Sequence, residues 1–245
     1  MPKPHAVNPD SIRSAAPAVD GMLLAFGLAV CSAHADTGPD ISSSRSMTAN
    51  ELVSTRIDDA DGFAWNSRFR ARTEGGRVKI ELAIELIPTA GVSSAALVRA
   101  RERWRMGIED AWGSRYGLRR GDGLVLPIEV RVRFHGPQYD HRVIVYPGRG
   151  PTHQLRWHLN DPPEIAAHEA GHMLGAYDEY PLGARDPRRP MIDPKGIMSA
   201  NPVGTRVKPR HLERVRAWYA GRIDDPTVAV VPLAEASSSA PPRSR

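Results

Sequence analysis

Cysteine is almost missing from this chain of 245 residues, and the single one, Cys31, stands near the start. No framework of disulfides can therefore hold the fold, and a cysteine nucleophile is excluded wherever the leader is removed. Long apolar runs are missing too. The most hydrophobic stretch, Gly21–Val30, is too short to cross a bilayer as a stable helix. Internal repeats are absent, and so is any basic patch interleaved with aromatics. The net charge of +5 comes from arginines scattered among acids, a solvated surface rather than a nucleic-acid footprint. Such a length suits one domain with tails, working as a monomer.

The N-terminus reads as an export signal. Gly21–Val30 supplies the apolar core, and Ala33-His34-Ala35 the small-x-small cleavage pattern. Residues 1–35 are thus a predicted signal peptide, the mature chain begins near Asp36, and the destination is secreted or periplasmic. Only Lys3 and Arg13 precede the core as cations and Asp20 abuts it, so a translation start further downstream is the competing explanation. Leu28-Ala29-Val30-Cys31 faintly resembles a lipoprotein box, which keeps lipid anchoring as an alternative. Residues 36–60, rich in Ser, Thr and Asp, are expected to form a flexible lead or pro-segment, and residues 226–245 a disordered tail.

Between them, residues 61–225 carry the periodicities of a folded domain. Val78, Ile80, Leu82, Ile84 and Leu86 alternate as in a half-buried strand, with Phe63–Thr73 as hairpin partner across Glu74-Gly75-Gly76. Ser93 or Ser94 opens a helix with Leu97, Trp104, Ile108 and Trp112 on one face. Ile128–Phe134 and His141–Tyr146 read as further strands, Gln154–Leu159 as a short one, and Pro209 begins a last helix bearing Leu212, Val215 and Tyr219. Arg120-Gly121-Asp122 reads as an ordinary turn.

Chemistry concentrates at His168-Glu169-Ala170-Gly171-His172. Residues four apart share a helix face, so both imidazoles can turn toward one ion while Glu169 stands ready as general base for a water. Asp161-Pro162-Pro163-Glu164 is expected to start this helix, Asp161 as cap and Glu164 completing a capping box. Gly175 suits a left-handed exit. Asp178 follows, giving HExxHxxGxxD, and a catalytic zinc takes three protein ligands with an open position. Neighbouring Glu179 is the alternative third ligand, or else an acceptor fixing a ligand histidine or a nearby arginine. His153, His158 and His211 are read as structural.

This pattern, with Gly196-Ile197-Met198-Ser199-Ala200 downstream, resembles the metzincin clan of zinc metallopeptidases, HExxHxxGxxH with a methionine turn. The aspartate departs from the usual third histidine and resembles the snapalysin-like minority. The resemblance implies an α/β (α+β) domain: a small twisted, mostly parallel sheet with an antiparallel edge strand, a backing helix, the metal helix, the Met-turn and a C-terminal helix. It also implies Zn2+ held by His168, His172 and Asp178, Glu169 as general base, Met198 as an apolar floor, and endopeptidase activity on a protein or peptide substrate. In the clan an extended substrate pairs with the strand before the metal helix, here Gln154–Leu159. Some members add a tyrosine two residues after the Met-turn methionine, where this chain has Ala200, leaving Tyr177, Tyr180 or Tyr146 as substitutes. The competing functions are an exported zinc-binding interaction protein without hydrolysis and an amidase for cell-wall peptides. Loop Pro181–Lys195, with Arg185, Arg188 and Arg189, would shape specificity.

Overall fold

Two consecutive glycines, Gly75 and Gly76, both take positive φ, 59° and 71°, the backbone hand that a two-residue hairpin turn demands. They join strands β2 (Ala64–Glu74) and β3 (Arg77–Pro88). The computed structural model describes residues 49–59, 62–200 and 206–233; the predicted signal peptide, Cys31 and the last twelve or so residues of the tail lie outside them. β1 (Glu51–Asp58) pairs along its whole length with β2. After β3 come α1 (Ser94–Trp112), β4 (Tyr116–Arg119), β5 (Val125–Arg133), β6 (His141–Tyr146), β7 (Arg156–His158) and α2 (Pro163–Met173). A 3-10 turn at Pro209–Leu212 leads into α3 (Glu213–Arg222), and β8 (Ala229–Pro232) closes the series.

The architecture is α+β, with one mixed eight-stranded sheet. It is not mostly parallel. β3–β5, β3–β6 and β6–β7 run parallel, whereas β1–β2, β2–β3, β4–β5 and β4–β8 are antiparallel. Strand β7, before the metal helix, is a parallel edge rather than an antiparallel one. Two strands also lie where none was expected, β1 within 36–60 and β8 within 226–245. Their sequences are short and partly polar, and long-range pairing with β2 and β4 supplies the order that their composition does not. The folded unit is therefore wider than 61–225.

The sheet forks at β3. Along its first half the edge facing β2 is paired with β2, ending at Arg70↔Glu81. Beyond that point the same edge passes to β6: the Asp140 N–H donates to the Ala83 carbonyl at 2.8 Å, and pairing with His141 begins at Ile84. β2 thus peels away and β6 with β7 occupies the opening. Arg70 pins the crotch, its Nε and Nη2 donating to the two oxygens of the buried Asp140 carboxylate at 3.1 and 3.0 Å.

The helices cover one face. Ser93 caps α1 by accepting from the Ala96 N–H, and Ala100, Trp104, Ile108 and Trp112 fall on one buried stripe. The indoles do more than fill volume: Trp104 Nε1 donates to the Asp161 carbonyl at 3.1 Å and Trp112 Nε1 to the Ala167 carbonyl at 2.8 Å. They tie α1 to the start and middle of α2. Removing the guanidinium in Arg70→Met strands a buried carboxylate, so unfolding in urea should show about 2–3 kcal/mol of lost stability; an unchanged midpoint would mean that the pair does not hold the fork.

Candidate active site

Helix α2 is apolar nearly all round, with Ala166, Ala167, Ala170, Gly171 and Met173 buried, as befits a helix sunk between α1 and the sheet. Its start differs from expectation. Pro162 occupies the cap position with no side-chain bond. Asp161 instead turns its Oδ2 to the His158 N–H at 2.7 Å and the Thr152 hydroxyl at 2.8 Å, so its carboxylate is spent on the preceding turn. The exit is as expected. Gly175 has φ 90°, and the N–H groups of Gly175 and Ala176 reach back to the carbonyls of His172 and Gly171 at 3.0 and 2.9 Å, a Schellman closure that only glycine enters without strain.

Side chains of β2 also reach that last turn, sharing one of these carbonyls and claiming one more. Trp65 Nε1 donates to the His172 carbonyl at 3.0 Å, and the Ser67 hydroxyl to the Met173 carbonyl at 2.8 Å. Trp65 also sets its ring edge-on to His172 and Tyr177. Sequence reasoning missed Trp65, because nothing local in a strand a hundred residues upstream marks it as a neighbour of the helix.

His168 and His172 stand together on one face, ring centroids 5.2 Å apart. Each spends its Nδ1 on a backbone carbonyl, that of Ile197 at 2.9 Å for His168 and that of Ala176 at 3.1 Å for His172. Carbonyls only accept, so each Nδ1 carries the proton and each Nε2 presents a lone pair. Both Nε2 atoms face one atom, Asp178 Oδ1, at 3.2 and 3.3 Å. That oxygen is buried and receives no aligned hydrogen bond; its companion Oδ2 accepts from the Ala184 N–H at 2.8 Å. Three acceptors converging without a donor is what a cation site requires, and an N2O set at such spacing suits a first-row divalent ion. Burial raises the Asp178 carboxyl; with no cation between them, only imidazoles that also carry a proton on Nε2 outweigh this and hold it below the usual carboxylate range.

Glu169 shares the cluster with both histidines and is buried. Burial pushes its carboxyl up to about 7, against the pull of His168, with Asp178 and Asp161 adding to the rise. A carboxyl poised there can both take and return a proton near neutrality. Glu179 points elsewhere. It accepts from Arg210 at 2.5 and 2.9 Å and from His211 Nε2 at 2.9 Å, so it fixes a nearby arginine, and His211 is structural. His158 is likewise turned to Thr152, while His153 lines the cleft.

The turn at Gly196–Ala200 lies beneath the helix. Met198 is fully buried, and its sulfur and the Trp112 ring fill the space that a Cβ at Gly171 would need. Its backbone serves both ligand segments: Ile197 offers its carbonyl to His168, and Met198 accepts from the Glu179 N–H at 2.8 Å. Among the three tyrosines only Tyr180 reaches the site, its ring 6.3 Å from His168 and its hydroxyl beside Asp178. Tyr177 donates to the Asp58 carbonyl, and Tyr146 stacks against His158 and Arg156.

Two cavities meet at this cluster. The larger, about 780 Å³, runs from Glu169, His172 and Asp178 along β2 and the segments flanking β6 and β7. The smaller, about 460 Å³, continues past Glu169 and Tyr180 to Arg149 and Ser199. Glu169 and Tyr180 thus line both cavities. No family model, curated protein or solved structure matches the chain, so the reading of this groove stands on its own geometry. Asp178→Ala should remove stoichiometric Zn2+ binding in metal analysis and calorimetry, whereas Glu179→Ala keeps it with at most a tenfold to hundredfold loss of affinity; the reverse order would exchange the two carboxylates.

Proposed function

We propose that this protein is a zinc-dependent endopeptidase. The observation that carries the reading is the convergence of His168 Nε2, His172 Nε2 and the unpartnered Asp178 Oδ1 beside a buried glutamate. These three would hold Zn2+, which supplies the Lewis acidity that makes a water nucleophilic and polarises a carbonyl. The metzincin-like order of helix, glycine exit, aspartate and methionine turn supports the same conclusion.

The chain's own groups then do the rest. Glu169, largely desolvated and with its carboxyl near 7, takes the proton of the attacking water and returns it to the leaving nitrogen, so no net proton is consumed at the glutamate. The Nδ1 bonds to Ile197 and Ala176 hold the two rings in the tautomer that the site needs. Tyr180, whose hydroxyl burial keeps protonated far above the ordinary tyrosine range, is placed to donate toward the oxygen on which charge develops. Two cavities that share Glu169 in their linings suit the interior of a polypeptide better than a terminal residue.

Glu169→Gln keeps the shape and the metal while removing the base. Turnover of an internally quenched peptide library should fall by about three orders of magnitude or more, within the range lost when a positioned acid–base is removed together with its electrostatic support; near-normal turnover with full zinc occupancy would sink the mechanism.

A further inference from the structure

An extended polypeptide that is to be cut at Glu169 needs a strand edge to pair with, and β7 cannot provide one. In a strand, alternate residues direct both N–H and C=O to the same side. Those of β7 that face outward are Arg156 and His158, since the Leu155 carbonyl accepts from the Ile144 N–H and the Leu159 N–H donates to the Tyr146 carbonyl. All four outward groups are already taken. Arg156 exchanges two bonds with His153 at 2.9 and 3.1 Å, the His158 carbonyl accepts from the Asp161 N–H at 2.8 Å, and the His158 N–H goes to Asp161 Oδ2 at 2.7 Å. The edge expected to receive substrate is closed by the chain itself.

The fork opens another. In β2 the even-numbered residues face β3, as the pairs Arg70↔Glu81, Arg72↔Lys79 and Glu74↔Arg77 require of a two-residue hairpin. By the same parity Ala64, Asn66 and Arg68 point their backbone groups into the fork, where β3 has turned to β6. Two of these carbonyls are held only by side chains: Gln154 Nε2 donates to the Asn66 carbonyl at 3.0 Å and His141 Nε2 meets the Arg68 carbonyl at 2.8 Å. Among the described residues no group takes the Asn66 or Arg68 N–H. This half-edge also lines the larger cavity, together with His168, Glu169, His172 and Asp178.

We infer that the fork-facing half-edge of β2, Ala64–Arg68, whose Asn66 and Arg68 N–H groups are untaken, is the rail on which an extended polypeptide pairs as an added strand, displacing the Gln154 and His141 side chains from its carbonyls. The inference rests on the peptidase reading for its occupant. Backbone pairing is indifferent to side chains, so it predicts tolerance of sequence and intolerance of folded or backbone-blocked substrates. Trp65 lies between these residues in sequence and donates to the His172 carbonyl, so this half-edge is tied directly to the last turn of the metal helix.

The test uses the full zinc-loaded chain carrying Glu169→Gln and a fluorescent, unstructured ten-residue peptide, with binding read by anisotropy. Asn66→Pro with Arg68→Pro deletes both free N–H groups without touching the β1–β2 ladder. Binding should weaken about tenfold or more, as expected for two lost backbone bonds. Ser54→Pro, on the far edge of β1, should bind as the parent does. The same peptide N-methylated at alternate residues should lose affinity in one methylation phase and keep it in the other on the parent protein, a comparison that needs no folded variant. Equal binding by the proline pair, or equal loss in both phases, overturns the rail. So does a concentration-dependent dimer through β2 in place of peptide binding. The two readings separate cleanly: cleavage by the Glu169 protein without any β2 dependence leaves the peptidase and removes the rail, whereas β2-dependent binding without cleavage leaves the rail and removes the peptidase.

Discussion

Everything around the site serves to hold one buried carboxylate oxygen opposite two imidazole lone pairs. Asp178 Oδ1 lies 3.2 and 3.3 Å from His168 Nε2 and His172 Nε2 without an aligned donor, and burying an acceptor in that condition costs free energy until a cation arrives. A site of this kind would relax if its parts could move. They cannot: the Asp178 N–H donates to the Ala184 carbonyl and its Oδ2 accepts from the Ala184 N–H, while Gly183 leaves no room for a Cβ against Asp178. Each imidazole is fixed through its far nitrogen.

The methionine turn is the hub of that arrangement. Ile197 orients His168, Met198 receives the N–H of Glu179 and underlies Gly171, and Glu179 gathers Arg210 and His211 from the segment entering α3. Arg210 also bonds Asp193 on the other side of the turn. The position next to the proposed ligand thus does a different job from the ligand itself. Asp178 looks inward to the cluster, and Glu179 looks outward to the scaffold, because successive residues of an extended segment point opposite ways.

What was legible in the sequence was whatever is decided within a turn or two of chain. Alternation marked β3, β5 and β6, the 3.6-residue stripe marked α1, and Gly75-Gly76 and Gly175 marked a hairpin and a helix exit, all of which the structure places within three residues. HExxH and its glycine are local in the same sense. Asp161 was misassigned for a physical reason, since two hydrogen-bonding offers competed for its carboxylate and the turn at His158 prevailed over the helix start. β1 and β8 were missed because their order comes from partners distant in sequence, and Trp65 for the same reason.

The fork is the least legible feature and the one on which the function turns. Nothing in β3 announces that its edge will change partners between Glu81 and Ile84; the switch depends on Asp140 reaching Ala83 while Arg70 anchors Asp140 from the departing strand. Once β2 is pushed aside, two consequences follow together. Its odd-numbered side chains, Trp65 and Ser67, are carried under the end of α2, where they satisfy carbonyls that a helix terminus leaves orphaned. Its even-numbered backbone groups are left facing the cavity. One displacement therefore steadies the helix that bears His172 and opens the edge proposed to present a polypeptide to Glu169, so the β2–β3 hairpin is as much a part of the candidate site as the helix itself.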